Sequence, residues 1–532
     1  MSTQTRGAGR RVTAAADRAF EHSHRWTILV IVSVAQLMVV LDATIVNIAL
    51  PSAQRDLGFA NSDRQWVVTA YALAFGSLLL LGGKIGDVFG RKWAFVVGLV
   101  GFAVASAAGG AATSFMVLVV ARALQGAFGA LLAPAALSTI ANAFQEPGER
   151  GRAFGVYGAV AGGGGAVGLL LGGALTEYAS WRWCFYVNLV FAAVAVAGAL
   201  PLLRNQRPER RPRLDWLGTL SAVVGLFFVV YGFARAASEG WTDPVTLVSL
   251  AVAAALLLAF TQIERRVREP LLPLRIVLDR DRGGAYLAVG LAAIAIFGVF
   301  LFLTFYMQLT KGYSPVLTGV AFLPMIAFVL LGSTLANVKL MPILGARILV
   351  PVGMGLAALG MLYLARIDAT STYWVHILPS LPVIGLGFGL IFAPAINTAT
   401  AGVARDDAGV ASALVNTMQQ VGGSVGTALL STIAVTATAN YAASHRGAAA
   451  AAEAPVHGYT VAFLVSAGIF AFGAVVTYLL IRPRGARPPT EAADAGAARS
   501  AETGTRPEAT AAADRADSPP LTIRHDLRRA TS

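Results

Sequence analysis

The chain has 532 residues, of which 56% are hydrophobic and only 13% charged, and its mean hydropathy is +0.66. Soluble proteins carry about 25% charged residues, so a folded surface with half that charge must face lipid, and a soluble enzyme is excluded. A net charge of +13 would also fit a nucleic-acid-binding protein, so the position of the charges along the chain must distinguish that class from a membrane protein. The single cysteine, Cys184, excludes an intrachain disulfide and a CxxC metal site.

Long apolar runs follow one another almost from end to end. A spanning helix needs about 20 apolar residues, and these runs lack the period-2 alternation of barrel strands. We therefore predict an all-α membrane protein with 14 transmembrane helices. The predicted spans are 26–50, 64–82, 93–110, 115–141, 153–176, 184–203, 215–235, 245–262, 284–308, 316–337, 348–365, 373–398, 409–436 and 459–481.

Lysine and arginine concentrate in alternate connections between the predicted spans. Five arginines lie in 204–213 and six in 265–282, whereas the connections on the other side carry about one basic residue each. This is the positive-inside pattern, and an even number of spans places both termini on the same, cytoplasmic side. The first 25 residues lack the features of a signal peptide, so helix 1 is expected to target the chain itself. The sequence predicts a multi-pass protein of a bacterial-type plasma membrane, with no nucleic-acid partner.

The Arg-rich segment 204–213 divides the spans and indicates an arrangement of six helices, two helices and six helices. The predicted divisions are a cytoplasmic N-terminal tail at 1–25, an N-terminal six-helix bundle at 26–203, a linker with two inserted helices at 204–262, a second cytoplasmic linker at 263–283, a C-terminal six-helix bundle at 284–481 and a disordered cytoplasmic tail at 482–532.

Asp42 is the one clear acid in the middle of a predicted span, and charges there are functional by default. It lies roughly 12 Å inside the outer end of predicted helix 1. Burial disfavours the charged form of a carboxylate, so Asp42 can take up a proton and release it when its surroundings change. Arg122 lies at a similar depth in helix 4, roughly 10 Å from the outer face, which makes an Asp42–Arg122 pair possible. The alternatives are a structural carboxylate and an arginine that only holds helices together.

Two glycine-rich segments have unusual spacing. The connection between helices 2 and 3 contains Gly83, Lys84, Gly86, Asp87, Gly90, Arg91 and Lys92. Its glycines allow a tight turn, and its charges can bridge to a neighbouring helix end. Helix 5 contains glycines at four-residue spacing, which favours either close helix packing or bending. These glycines include Gly162, Gly168, Gly172 and Gly173.

Three motifs together resemble the signatures of the major facilitator superfamily, and more narrowly its fourteen-helix drug/proton antiporter branch. They are the turn Gly83–Lys92, the phrase Leu41-Asp42-x-Thr44-x-Val46-Asn47-x-Ala49-Leu50-Pro51, and Arg122-x-x-Gln125-Gly126. Three more are similar to that branch: Trp181-Arg182-Trp183-x-Phe185-x-x-Asn188, Pro270-Leu271-Leu272-Pro273-Leu274-Arg275 and Asn416-Thr417-x-Gln419-Gln420-x-Gly422-Gly423-x-x-Gly426. The resemblance covers roughly residues 26–481.

The resemblance implies two pseudo-symmetric six-helix bundles that rock about a central cavity, with helices 7 and 8 inserted between them. It also implies that Asp87 and Arg91 close the cytoplasmic side, that Asp42 and Arg122 serve proton coupling, and that the helix-5 glycines favour exchange. The sequence departs from the family pattern twice, because Leu169 follows Gly168 and Val190 follows Asn188 by two positions, and each replaces the usual proline.

A cavity for lipid-soluble substrates needs apolar and aromatic walls with a few polar groups. Polar side chains inside spans and the aromatic run of helix 9 fit this description. The candidates are Asn47, Tyr71, Gln125, Phe302, Phe305, Tyr306, Gln308, Asn397, Asn416, Gln419 and Gln420.

The sequence thus predicts a secondary active transporter that exports hydrophobic drugs or natural-product antibiotics in exchange for protons. Its expected partners are a hydrophobic small molecule, protons and membrane lipids, with no cofactor and no metal, and a monomer is expected. Two alternatives are an exporter of an endogenous metabolite, lipid or siderophore, and a membrane sensor without turnover. An embedded enzyme is disfavoured because no HExxH motif occurs.

Overall fold

Within lipid a chain must satisfy its backbone N–H and C=O groups internally, and helices do this within one segment. The computed structural model describes residues 23–483 except 61–62, 145, 205–214, 268–271, 402, 404–407 and 446. In this part of the chain the regular secondary structure is helical. Most of the predicted N-terminal tail, the arginines of 207–213 and the C-terminal tail from residue 484 lie outside the described residues.

The described residues form fourteen long helices. They are α1 Arg25–Leu57, α2 Arg64–Phe89, α3 Arg91–Gly110, α4 Phe115–Ala143, α5 Pro147–Tyr178, α6 Trp183–Leu202, α7 Trp216–Glu239, α8 Pro244–Glu264, α9 Arg280–Phe305, α10 Pro315–Leu335, α11 Ala346–Leu364, α12 Ser380–Thr400, α13 Ala408–Ser444 and α14 Ala448–Leu480. A short helix, Leu274–Leu278, precedes α9, and Met341–Leu344 follows α10. Single π-helical turns extend α9 (Tyr306–Thr310), extend α10 (Ala336–Leu340) and precede α12 (Tyr373–Ile377).

Twelve of the described helical segments are long and apolar enough to cross a membrane. The two long helices outside that group are α2, with 26 residues, and α5, with 32 residues. Both are long enough for about 30 Å of hydrocarbon at 1.5 Å per residue.

The first six and the last six helices pair in the same way. In the first set α1 packs on α4, α5 and α6, α2 packs on α4, and α3 packs on α4 and α6. In the last set α9 packs on α12, α13 and α14, α10 packs on α12, and α11 packs on α12 and α14. Each pairing therefore recurs when the helix number is raised by eight.

The two sets meet along two seams, α2 with α13 and α5 with α10. Helices α7 and α8 pack on each other, and α7 also packs on both α2 and α13. The Gln65 side chain of α2 donates to the Ala234 carbonyl of α7 at 3.3 Å. The inserted pair thus lies beside the first seam and contacts both sets.

Several helices extend beyond the predicted spans. α2 continues to Phe89 rather than 82, α13 continues to Ser444 rather than 436, and α14 begins at Ala448 rather than 459. Hydropathy marks where a helix leaves lipid, but an alanine-rich helix does not have to end there. We call the helix ends around the α1–α2 connection the α1–α2 face, and the opposite ends the α2–α3 face.

Candidate functional site

The centre of the first six helices contains a buried ion pair. Asp42 on α1 is 0% exposed and Arg122 on α4 is 1% exposed. Arg122 Nη1 donates to Asp42 Oδ2 at 2.5 Å. Removing one member of such a pair leaves an uncompensated buried charge, which costs roughly 3–5 kcal/mol. The two rare charges that the sequence placed at similar depth are therefore direct partners.

Asp42 lies deeper than its sequence position indicated. It is the eighteenth of the 33 residues of α1. The helix continues through Pro51 to Leu57, so Asp42 is about 22 Å from the end rather than about 12 Å. A proline costs a helix one backbone hydrogen bond but does not have to end it.

Two amide side chains complete the coordination of the carboxylate. Gln125 Nε2 and Asn188 Nδ2 each donate to Asp42 Oδ1 at 2.9 Å. Gln125 Oε1 accepts from Arg122 Nη1 at 3.0 Å. Asn188 Nδ2 also donates to Ser106 Oγ at 2.9 Å, and Ser106 Oγ donates to the Phe185 carbonyl at 2.8 Å. One network thus joins α1, α3, α4 and α6, and all of its polar side chains are buried.

Helix α2 supplies the other surroundings of Arg122. Arg122 Nε donates to the Val67 carbonyl at 3.0 Å. Its guanidinium carbon lies 4.4 Å from the centroid of the Tyr71 ring, an arrangement that attracts a cation electrostatically. The Tyr71 hydroxyl is buried and has no hydrogen-bond partner among the described residues. Tyr71 and Gln125, expected as cavity residues, therefore both belong to the surroundings of the ion pair.

The predicted turn between helices 2 and 3 is shorter in the structure. Gly83, Gly86 and Asp87 lie within α2, and Gly90 alone separates α2 from α3, which begins with Arg91. Gly90 has φ +100°, a backbone conformation that L side chains rarely adopt. The Asp87 side chain lies outside the described residues. Lys92 Nζ donates to the Leu200 carbonyl at the end of α6 at 2.6 Å.

The described helix-5 glycines face two different helices. A Cβ on Gly172 would lie 3.1 Å from Ile45 Cα of α1, and one on Gly168 would collide with Thr44. A Cβ on Gly173 would lie 2.7 Å from the Pro315 carbonyl oxygen of α10. The surroundings of Gly162 lie outside the described part of the structure. The glycines therefore permit α5 to touch α1 within its own set and α10 in the other set.

Further contacts join the two sets at the α1–α2 face. Glu177 Oε2 accepts from the Val316 backbone N–H, at the start of α10, at 3.0 Å. Gln308 Nε2 donates to the Ile48 carbonyl at 3.2 Å. The Arg64 guanidinium of α2 lies 4.3 Å from the centroid of the Phe305 ring. The two sets are thus held together at this face by α1, α2 and α5 on one side and by α9 and α10 on the other.

The remaining cavity candidates do not form one cluster. Phe302 packs against Tyr459 and Phe463 of α14, and the Tyr306 hydroxyl donates to the Asp368 carbonyl at 2.7 Å. The amide nitrogens of Asn47 and Asn416 donate to the carbonyls one turn earlier, and Asn397 donates to Asn337 Oδ1 at 2.6 Å. Gln419 and Gln420 of α13 are partly buried, and the Gln420 Cβ lies 3.2 Å from where a Cβ on Gly76 of α2 would be.

Residues of the Trp181–Asn188 motif have structural roles that the sequence did not predict. Asn188 reaches Asp42, as described above. Arg182 Nη2 contacts Asp56 Oδ2 at 3.0 Å, and Arg182 Nη1 donates to the carbonyls of Gly110 and Ala112 at 3.0 and 2.5 Å. The motif thereby connects α6 with the ends of α1 and α3. A polar residue within an apolar run was the signal for Asn188, whereas Ser106 gave none.

A sequence profile of the Major Facilitator Superfamily matches residues 32–427. The chain is 53% identical over 473 residues to the puromycin resistance protein pur8 of Streptomyces alboniger, covering 88% of this chain and 93% of that protein. It is 38% identical to the cephamycin export protein CmcT of Amycolatopsis lactamdurans, covering 84% and 92%. It is 36% identical to the tetracenomycin C resistance and export protein of Streptomyces glaucescens, covering 76% and 75%.

Solved structures with little sequence identity have the same fold. A point mutant of the nucleoside transporter NupG superposes with a TM-score of 0.59 at 13% identity, covering 86% of this chain and 100% of that one. A bacterial homologue of the human lysosomal transporter Spinster, in an inward-facing and unoccupied conformation, gives a TM-score of 0.59 at 15% identity, covering 86% and 97%.

Proposed function

The chain belongs to the major facilitator superfamily, and from that premise we propose that it exports hydrophobic drugs or natural-product antibiotics from a bacterial cell in exchange for protons. It is a multi-pass membrane transporter and not an enzyme, and its relatives are drug and antibiotic resistance and export proteins. The observation that carries proton coupling is the fully buried Asp42–Arg122 pair.

The chemistry of that pair supports the proposal of proton coupling. While Asp42 is ionised, its charge is balanced by Arg122 and it accepts two further hydrogen bonds. Protonation removes the attraction to Arg122 and so changes how strongly α1 is held to α4. A proton and a drug that favour different states of these helices exchange across the membrane, because each shifts the balance only by its differential affinity.

We propose that all fourteen long helices span the membrane, with both termini cytoplasmic and the α1–α2 face outside. The positive-inside pattern supports this orientation. The repeated helix pairing supports two six-helix bundles, 26–203 and 284–481, joined through 204–262 and 263–283. With this orientation, the contacts of Glu177, Gln308 and Arg64 close the outer side between the bundles. Alternating access then requires these contacts to break when the inner side closes.

Separate roles are proposed for the two glycine-rich segments. At the inner side the turn around Gly90, with Asp87 and Arg91, closes the cytoplasmic entrance. The helix-5 glycines allow α5 to slide against α10 as the bundles rock, which favours exchange. Support comes from the left-handed conformation of Gly90 and from the contact of Gly173 with Pro315.

The substrate cavity is proposed to lie between the bundles, where α1, α2 and α5 face α9, α10 and α13. Asn47, Gln419 and Gln420 are its best polar candidates because they are amides of α1 and α13. Phe305 and Gln308 already touch the opposite bundle, so they are proposed to contact the substrate near the outer side. An amide exposed to lipid would cost free energy, which a cavity with substrate or water avoids.

The proposed function is tested by puromycin uptake into everted membrane vesicles, with puromycin chosen because a 53% identical relative is a puromycin resistance protein. Wild-type vesicles should accumulate the drug when energised, and an uncoupler should abolish the accumulation. Asp42→Asn keeps the size of the side chain and should abolish energised uptake while the protein still reaches the membrane. Full accumulation by this variant would contradict the coupling role of Asp42.

Export of a compound made by the cell itself is the second candidate. Two relatives are a cephamycin export protein and a probable actinorhodin transporter of Streptomyces coelicolor. Deletion of the gene, followed by comparison of small molecules inside and outside the cell, tests it. Intracellular accumulation of one cell-made compound is expected, and an unchanged profile contradicts it.

A further inference from the structure

The polar side chains that touch Asp42 in the described structure are all hydrogen-bond donors. Arg122 Nη1 donates to Oδ2, and Gln125 Nε2 and Asn188 Nδ2 donate to Oδ1. Three donors suit a carboxylate, which only accepts. A protonated carboxyl group carries an O–H that needs an acceptor. The site must therefore change when Asp42 takes up a proton.

The two amides differ in what such a change would break. Gln125 Oε1 already accepts from Arg122 Nη1 at 3.0 Å. Turning the Gln125 amide would place its NH2 group against the guanidinium, donor against donor. Asn188 Oδ1 is buried and has no hydrogen-bond partner among the described residues. Turning the Asn188 amide therefore costs its oxygen no hydrogen bond.

We propose that Asn188 is a positioning residue whose side-chain amide flips when Asp42 is protonated. In the ionised state Asn188 Nδ2 donates to Asp42 Oδ1, and in the protonated state Asn188 Oδ1 accepts the O–H of the acid. The inference rests on the proposed function in one respect, that Asp42 gains and loses a proton during turnover.

The second partner of Asn188 suits both orientations. Ser106 Oγ accepts from Asn188 Nδ2 at 2.9 Å and donates to the Phe185 carbonyl at 2.8 Å. A hydroxyl can both donate and accept, and its hydrogen rotates freely. When Oδ1 takes the place of Nδ2, Ser106 can turn its one hydrogen from the Phe185 carbonyl to Asn188 Oδ1.

Among the described residues, Asp42 is hydrogen-bonded to no side chain other than Arg122, Gln125 and Asn188. The titratable groups that face it among the described residues are Arg122 of α4, Tyr71 of α2 and Cys184 of α6. α5 presents Gly168 and Gly172 to this stretch of α1, α9 approaches α1 with the uncharged Gln308, and the uncharged Ile326 of α10 lies near Gly165 of α5. Arg122 keeps the Val67 carbonyl and the Tyr71 ring as partners when Asp42 becomes neutral.

Infrared difference spectroscopy tests the flip of the Asn188 amide directly, without a transport assay. The full-length protein is labelled with 13C-asparagine, reconstituted in liposomes and compared between high and low pH. Subtraction of the Asn188→Val spectrum identifies the Asn188 carbonyl band. We expect this band to move to lower wavenumber on acidification, because the oxygen begins to accept a hydrogen bond. In Asp42→Asn the band should hold one position at every pH. A wild-type band that stays in place while Asp42 becomes protonated would overturn the proposal.

Transport adds a functional test with three variants. Asn188→Val removes both donor and acceptor, Asn188→Ser keeps a hydroxyl that does both, and Asn440→Val makes the same change at an exposed position of α13. Because both protonation states lose one hydrogen bond, Asn188→Val should lower energised puromycin uptake about tenfold at every pH and leave the pH midpoint unchanged. Asn188→Ser should restore uptake to within about threefold of wild type, and Asn440→Val should match wild type.

The transport result differs if Asn188 is a fixed hydrogen-bond donor. If Asn188 only ever donates to the carboxylate, Asn188→Val weakens one protonation state alone and moves the pH midpoint by about one unit. That result overturns the proposal. If Asn188→Val does not reach the membrane, Asn188→Ser replaces it in the infrared subtraction. The shift of the Asn188 carbonyl band then tests the proposal in the same way. Wild-type uptake that ignores the uncoupler would contradict the proposed function, whereas the infrared result concerns Asn188 alone.

Discussion

Gly172 and Gly173 are adjacent residues of α5 that face different bundles, and this permits a matched test of the outer closure. A Cβ on Gly173 would lie 2.7 Å from the Pro315 oxygen and 2.8 Å from Val316 Cα, both backbone atoms of α10. Ordinary van der Waals contact begins at 3.4 Å, so Gly173→Ala leaves the two helices about 0.7 Å too close. Because backbone cannot rotate away, α5 and α10 must separate.

The cost falls on one conformation only. Overpacking of this kind costs roughly 1–3 kcal/mol, and in the proposed alternating-access cycle the contact is present only while the outer side is closed. Gly173→Ala should therefore shift the ratio of outer-open to outer-closed protein roughly 5- to 150-fold. Gly172→Ala places its Cβ 3.1 Å from Ile45 Cα of the same bundle. That contact is expected to be present in both conformations, so the ratio should stay close to that of wild type.

Distances between spin labels at the outer side measure this ratio. Labels are attached to Thr113→Cys, before α4, and Ala443→Cys, near the end of α13, with Cys184 replaced by serine. Gly173→Ala should add or enlarge a long-distance population, and Gly172→Ala should resemble wild type. Equal distributions for wild type and Gly173→Ala, or a larger change in Gly172→Ala, would refute the reasoning.

Three further predictions concern residues away from the ion pair. Arg182→Leu loses the contacts with Asp56 and with the carbonyls of Gly110 and Ala112, so it should destabilise the first bundle by roughly 1–3 kcal/mol, seen as a lower thermal melting temperature; an unchanged melting temperature contradicts this. Gly90→Ala puts a side chain at φ +100° and should cost roughly 1–3 kcal/mol, and a melting temperature equal to that of Gly355→Ala, where space is open, would contradict it. The hydrogen bonds from Thr370 and Ser371 hold the pKa of Asp368 below its ordinary value of 3.8. The amides of the loop that these bonds stabilise should exchange more slowly than those of an unfolded chain at the same pH, and this protection should be lost only as the pH falls below 3.8. Amides that are already unprotected at neutral pH would contradict this prediction.

The ion pair could be predicted from the sequence because charges are rare in lipid and must find partners. Asp42 and Arg122 were each recognisable alone, and similar depth made their contact possible. The rest of the network depends on how four helices pack. Asn188 and Ser106 reach Asp42 only because α3 and α6 bring them there, and no local pattern encodes that approach.

The helical class and the approximate place of each helix could be predicted from hydropathy, but helix ends and faces could not. Hydropathy fell at residue 82, yet α2 continues to Phe89, so Gly90 alone makes the turn. The sequence of α9 likewise shows which residues are aromatic, but it does not show which neighbouring helix each ring contacts. In the structure Phe302 packs on α14, whereas Phe305 lies beside Arg64 of the other bundle. The resemblance to the major facilitator superfamily is confirmed over residues 32–427.

Proton movement driven by a drug tests the central claim most directly. Protein is reconstituted in liposomes that contain a pH-sensitive dye and hold an acidic interior. Addition of puromycin outside should drive protons out through wild-type protein, at a rate that rises with drug concentration, while Asp42→Asn should leave the gradient intact. Puromycin entry without proton movement in wild type, or equal proton movement in Asp42→Asn, would contradict the account.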